Sequence, residues 1–88
     1  MTVKEMAEKN PGMLLSMMTP CGYLTIMADE LLQAKKVATN PGSAGFDMNI
    51  DASDILTMNV VDFYTVGAEE TPSGKAEIRM LTDNKEQV

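Results

Sequence analysis

Eighty-eight residues with thirteen acidic and seven basic side chains, a net charge of −6 at pH 7, describe one small acidic domain; a chain this short buries only about 60–65% of its unfolded surface, so a second core or a deep cavity is excluded. The 44% apolar content is globular, the apolar runs fall far short of the ~18 residues of a membrane helix, and the charged start "MTVKEMAEKN" is unlike a secretory signal. One cysteine cannot close an internal disulfide, so the expectation is a soluble, cytoplasmic chain in a reducing compartment.

Thr2 followed by Glu5 fits a capping box, and Val3, Met6 and Ala7 then share a face, which predicts a short helix ended by "NPG" at residues 10–12. Two turns of helix are unstable alone, so this one must lie on something. "MLLSMM" and "YLTIM" read as two strands joined by "TPCG", residues 19–22. The turn recurs as "TPSG", residues 71–74, between "NVVDFYTV" and "AEIRMLT". Both are read as hairpin turns, with Cys21 and Ser73 in the same permissive position. "NPG" also recurs, at residues 40–42, but at a different distance from the next "TP" turn, which argues against a duplicated domain.

"ADELLQAKK", residues 28–36, predicts a helix with acids at its start, bases at its end and Leu31 and Leu32 inward. "TNPGSAG" follows as a loop and "FDMNI" as a half-buried strand. Asp51 is placed to cap a single turn, "ASDILT", ahead of a long strand over residues 59–66. In that strand Asn59, Val61, Phe63 and Thr65 would share one face and Val60, Asp62, Tyr64 and Val66 the other, so apolar groups on both faces imply a central strand or one that meets a partner. Residues 84–88 read as a frayed tail. The fold class is therefore a single α+β domain over 1–88, with a mostly antiparallel sheet of about five strands and two short helices on one face. The other face of the sheet would be solvated or bound to something. Nine methionines against four aromatic residues predict a core filled by adaptable thioethers, including Met6, Met13, Met17, Met48 and Met80.

The candidate chemistry is sparse. Cys21 has no histidine anywhere in the chain to activate it and no base between Lys9 and Lys35, so it is read as a turn residue without a catalytic role. Asp47, Asp51 and Asp54 could converge on a divalent cation, but they lack the loop spacing of a calcium site, and capping and solvation account for them. "NPGSAG" lacks the Gly-Lys-Ser/Thr ending of a phosphate loop. No catalytic, cofactor or metal residue is assigned, and no small-molecule substrate is expected. The net charge lies entirely in residues 45–88, and no base stands between Lys36 and Lys75. Direct binding of a nucleic-acid backbone is excluded on that ground, since it needs clustered Lys and Arg.

Taken together, "TVKEMAEKNPG", "MTPCGYLTI", "NPGSAGFDMNIDASDIL" and "MLTD" resemble small uncharacterised accessory proteins of mobile elements, phage and conjugative, in anaerobic gut bacteria. The resemblance implies no activity. It implies a setting in which small proteins inhibit host defence or regulate by binding protein. The expected function is thus that of a non-enzymatic interaction protein, docking on a protein partner or forming a homodimer through a sheet face or edge. The alternative is an acidic mimic of nucleic acid that inhibits a host nuclease or defence protein, with Asp47, Asp51, Asp54, Asp62, Glu69 and Glu70 standing in for phosphates.

Overall fold

The structure, a computed structural model, describes residues 1–19, 22–39 and 48–83. The first helix, α1 (Val3–Lys9), starts as its sequence requires: the Glu5 N–H donates to Thr2 Oγ1 at 3.2 Å, and the Thr2 N–H donates to Glu5 Oε1 at 2.9 Å. Val3, Met6 and Ala7 form its buried face. Asn10 closes it, donating from Nδ2 to the Met6 carbonyl at 3.0 Å just before the proline.

β1 (Leu14–Thr19) and β2 (Gly22–Met27) pair antiparallel from Leu14↔Met27 to Thr19↔Gly22. Thr19 Oγ1 donates to the Gly22 carbonyl at 2.7 Å, and Gly22 takes a φ of 130°. Pro20 and Cys21 lie outside the described residues. The second "TP" turn uses its threonine in a related way within a different connection. Thr71 Oγ1 donates to the Lys75 carbonyl at 2.7 Å, and the Gly74 N–H donates to the Thr71 carbonyl at 3.2 Å. Gly74, at φ 75°, occupies the left-handed region that favours glycine. This turn is not the hairpin tip that the repeat suggests. It sits inside a longer connection that also holds a 3-10 turn, Ala68–Glu70.

α2 (Ala28–Gln33) buries Ala28 and Leu31. It stops before the two lysines expected in its last turn, because Lys36–Thr39 forms β3, whose alternation of exposed and buried residues has the period of a strand. β3 pairs antiparallel with β4 (Met48–Asp51), from Lys36↔Asp51 to Thr39↔Met48. α3 (Ala52–Leu56) follows directly. Asp51 stands at its N-cap position but makes no capping bond. Its carboxylate instead accepts from Lys36 Nζ at 2.9 Å across the strand pair.

β5 (Asn59–Val66) and β6 (Glu77–Asp83) complete a four-stranded sheet of order β2-β1-β6-β5, in which only β1 and β6 run parallel. The class is α+β, as expected, but among the described residues six strands divide into sheets of four and two, and the short turn after Asp51 makes a third α-helix beside the expected two. The β3–β4 pair lies beside β2. The sequence-predicted tail at 84–88 and the residues 40–47 lie outside the described residues.

β5 is an edge strand, which corrects the central placement suggested by its two apolar faces. It also carries a bulge: Val60 pairs with Thr82 and Asp62 with Leu81, leaving Val61 as the extra residue. Val60 thereby moves to the face of Phe63 and Thr65, against simple alternation. The core gathers one face of the four-stranded sheet and the buried faces of the helices: Leu15, Met17, Leu24, Ile78 and Met80 meet Val3, Met6, Leu31 and Ile55. Met6, Met17, Met58 and Met80 fill it, while Met18 is exposed. Among the described residues no helix is long and apolar enough to cross a membrane.

Candidate protein-binding face

The register that buries Leu15, Met17, Ile78 and Met80 turns their neighbours the other way, because successive side chains alternate across a strand. Met18 stands opposite Tyr23, and Ser16 stands between Thr25 and Arg79. Arg79 in turn stands opposite Tyr64, and Leu81 opposite Asp62. Four large side chains on this face remain open: Met18 is 60% exposed, Tyr23 42%, Tyr64 59% and Leu81 63%. Between them lies a shallow depression of about 360 Å³.

Its floor is polar and tied down. The Ser16 and Thr25 hydroxyls lie 3.1 Å apart in a hydrogen bond, and Ser16 is buried beneath its neighbours. Arg79 Nε donates to Glu77 Oε2 at 2.8 Å, two residues along the same strand. The Glu77 side chain is only 10% exposed and that of Arg79 is 40% exposed, so the pair anchors a half-open guanidinium to a buried carboxylate. Hydrogen bonding to Glu77, and secondly to Tyr64, pushes the guanidinium pKa above its already high ordinary value. Arg79 is therefore a fixed cation amid apolar and aromatic groups. Tyr, Arg and Met around a central depression are the residue types enriched in protein interfaces, where an anchored side chain loses little rotamer freedom on binding.

The five described acids of the six singled out in the sequence lie on separate elements. Asp51 is ion-paired with Lys36, and Asp54 is exposed on α3. Asp62 lies on β5, where its Oδ1 accepts from the Phe63 N–H at 2.9 Å. Glu69 and Glu70 are exposed on the 3-10 turn at the other end of that strand. Asp47 lies outside the described residues. Among the described residues no three acids or cysteines come together as a metal site. Only Asp62 of the six borders the depression. Searches against protein families, curated proteins and solved structures give no match.

The sequence leads to the expectation of a second sheet face, solvated or bound to something, but singles out none of Met18, Tyr23, Arg79 and Leu81 on it. The signal was present in "EIRMLT", where Ile78 and Met80 alternate with Glu77, Arg79 and Leu81. What period two does not give is which of the two sets meets the helices.

Proposed function

We propose that this protein is a non-enzymatic cytoplasmic interaction protein that docks on a protein partner through the open face of its four-stranded sheet and the adjoining β5 edge. The observation that carries the reading is the exposure of Met18, Tyr23, Tyr64 and Leu81, together with the anchored Arg79, on the face turned away from the core. Four side chains of this size, each about half open, amount to on the order of 400 Å² of apolar surface, a patch size that on monomeric proteins is often functional. The resemblance to mobile-element accessory proteins supports a host protein as the target. Nucleic-acid mimicry draws less support, since Asp51 is already paired with a lysine and Asp62 with a backbone donor.

The test is a photo-crosslinking residue placed at Leu81 and, as a control, at Lys4 on the exposed side of α1, in cells of the source organism. A discrete adduct from position 81 that is absent from position 4 is expected. Equal or no capture at the two positions refutes docking by this face. Adduct formation that falls steeply with added salt and disappears on charge reversal of Asp54, Glu69 and Glu70 would transfer the function to the acidic surface.

A further inference from the structure

We infer that the occupant of the β5 edge is a second copy of this chain, joined by antiparallel pairing of the two β5 strands about a two-fold axis at Tyr64. The inference rests on the docking reading above and supplies the partner for its edge component.

Three features bound the free edge. β6 occupies one side of β5. On the other side, the chain's own first residues cover the beginning of the strand: the Val60 N–H donates to the Met1 carbonyl at 2.7 Å, and Thr2 bridges Asn59. At the far end the strand stops at Val66, and Gly67 leads into the 3-10 turn. Val61 to Val66 remain; Val61 is the bulge residue, outside the regular ladder, so Asp62 to Val66 are the stretch that can extend the sheet, with Tyr64 at its midpoint, and no described strand pairs with their outer side.

The backbone of this stretch is turned correctly for pairing. The Phe63 N–H donates to the Asp62 carboxylate at 2.9 Å, and we take it as turned away from β6, so that Phe63, and with it Thr65 two residues on, direct their backbone groups outward. A two-fold axis perpendicular to the sheet keeps both helical layers on one side and sets residues of like face opposite each other. The axis must then pass at a residue, not between two, and the midpoint of the free stretch meets that condition. Phe63 would face Thr65 of the second copy, and Asp62 would face its Val66. Four backbone hydrogen bonds would replace the Phe63–Asp62 bond of each copy, two bonds in all.

Charge favours the same choice. A chain of net charge −6 repels its own copy over most of its surface, but Asp62 is the one Asp, Glu, Lys or Arg in the eight residues of β5. In this register the two Asp62 side chains stand roughly 13 Å apart along the strands, beyond the ~10 Å screening length at 0.1 M salt. Pairing also covers β5 on both faces at once, where Phe63 is 48% and Tyr64 59% exposed. The buried surface comes to on the order of 400 Å² per copy, half of the ~800 Å² of a standard interface, so the dimer is expected to be weak and reversible.

The register is tested by cysteines in a Cys21→Ser background at about 100 μM under mild oxidation. Residues in a non-hydrogen-bonded antiparallel pair have Cα atoms about 4.5 Å apart, within disulfide range, whereas residues offset by two positions do not. Tyr64→Cys is expected to give a covalent dimer at least tenfold faster than Phe63→Cys or Thr65→Cys. Equal rates at the three positions, or none, overturn the inference. In parallel, light scattering of the unmodified chain is expected to rise with concentration from 9.6 kDa toward twice that mass. Thr65→Pro, which removes only an outward N–H, should hold it at the monomer mass with the circular dichroism unchanged. A chain that stays monomeric to millimolar concentration overturns the dimer. If the Leu81 probe still captures a protein, that result leaves the docking reading intact; if it captures none, both fall.

Discussion

Leu15 and Leu81 are the same residue type on neighbouring strands of one sheet, and the structure assigns them opposite fates. Leu15 is fully buried on β1, while Leu81 is 63% exposed on β6. Truncating Leu15 to alanine removes about three carbons from the core. At ~0.8 kcal/mol per methylene, plus a contribution for the cavity, the cost is about 3 kcal/mol. A domain of this length has a total stability of roughly 4–13 kcal/mol, so Leu15→Ala removes between about a quarter and three quarters of it. Leu81→Ala withdraws little surface that is shielded from water and should cost less than about 1 kcal/mol. Urea denaturation followed by circular dichroism, at low micromolar protein, reads both. With a slope of about 1 kcal/mol per molar, the midpoint should fall by about 3 M for Leu15→Ala and by less than about 1 M for Leu81→Ala. Equal shifts, or a larger one for Leu81, would mean that the supposed open face is covered in the isolated protein, and the reasoning about its availability would fail.

Three further expectations are local. Thr2→Ala removes the cap of α1 and should cost about 1 kcal/mol by thermal or urea unfolding, since the Glu5 N–H loses the Thr2 hydroxyl it donates to. The backbone N–H of Thr2 holds the Glu5 carboxyl below its ordinary pKa of 4.5. Its contribution is therefore present above that value and lost as pH falls through the lowered one, so amide-exchange protection of α1 should drop in that acid range and stay flat in Glu5→Gln. Gly74→Ala places a Cβ where nothing lies within 4 Å but at φ 75°, so its cost of about 1 kcal/mol is backbone strain alone. An asparagine there, which tolerates this conformation better, should recover part of the loss in the same unfolding assay.

Local chemistry was the legible part of this fold. The capping box at Thr2 and Glu5 and the stop at Asn10 involve atoms within four residues of each other, and both form as read. The strands "LLSMM" and "YLTIM" were readable for the same reason: the turn between them sets their register. Short elements were less so. β3 has four residues, and "KVAT" carries a period-two pattern too brief to outweigh the helical one ahead of it. Asp51 looked like a cap because aspartate at that position often is one, but Lys36 is brought opposite by strand pairing and takes the carboxylate. Of the acids between Asp47 and Glu70, the described ones stand on separate elements, Asp51 and Asp54 at and on α3, Asp62 on β5 and Glu69 and Glu70 on the 3-10 turn.

By itself the sequence determined a small acidic α+β domain, the ends of its first helix, the pairing of its first two strands and a thioether-rich core. Each of these depends on neighbours in the chain or on the alternation of polar and apolar residues. Only the tertiary structure decided that β1 and β6 run side by side in parallel, that β5 lies at the edge, and that Met18, Tyr23, Arg79 and Leu81 share the uncovered face. Those outcomes depend on contacts between segments some sixty residues apart, such as Leu15 with Ile78. The alternation of one strand names two faces, and which of them meets the helices is settled only when all the layers pack together.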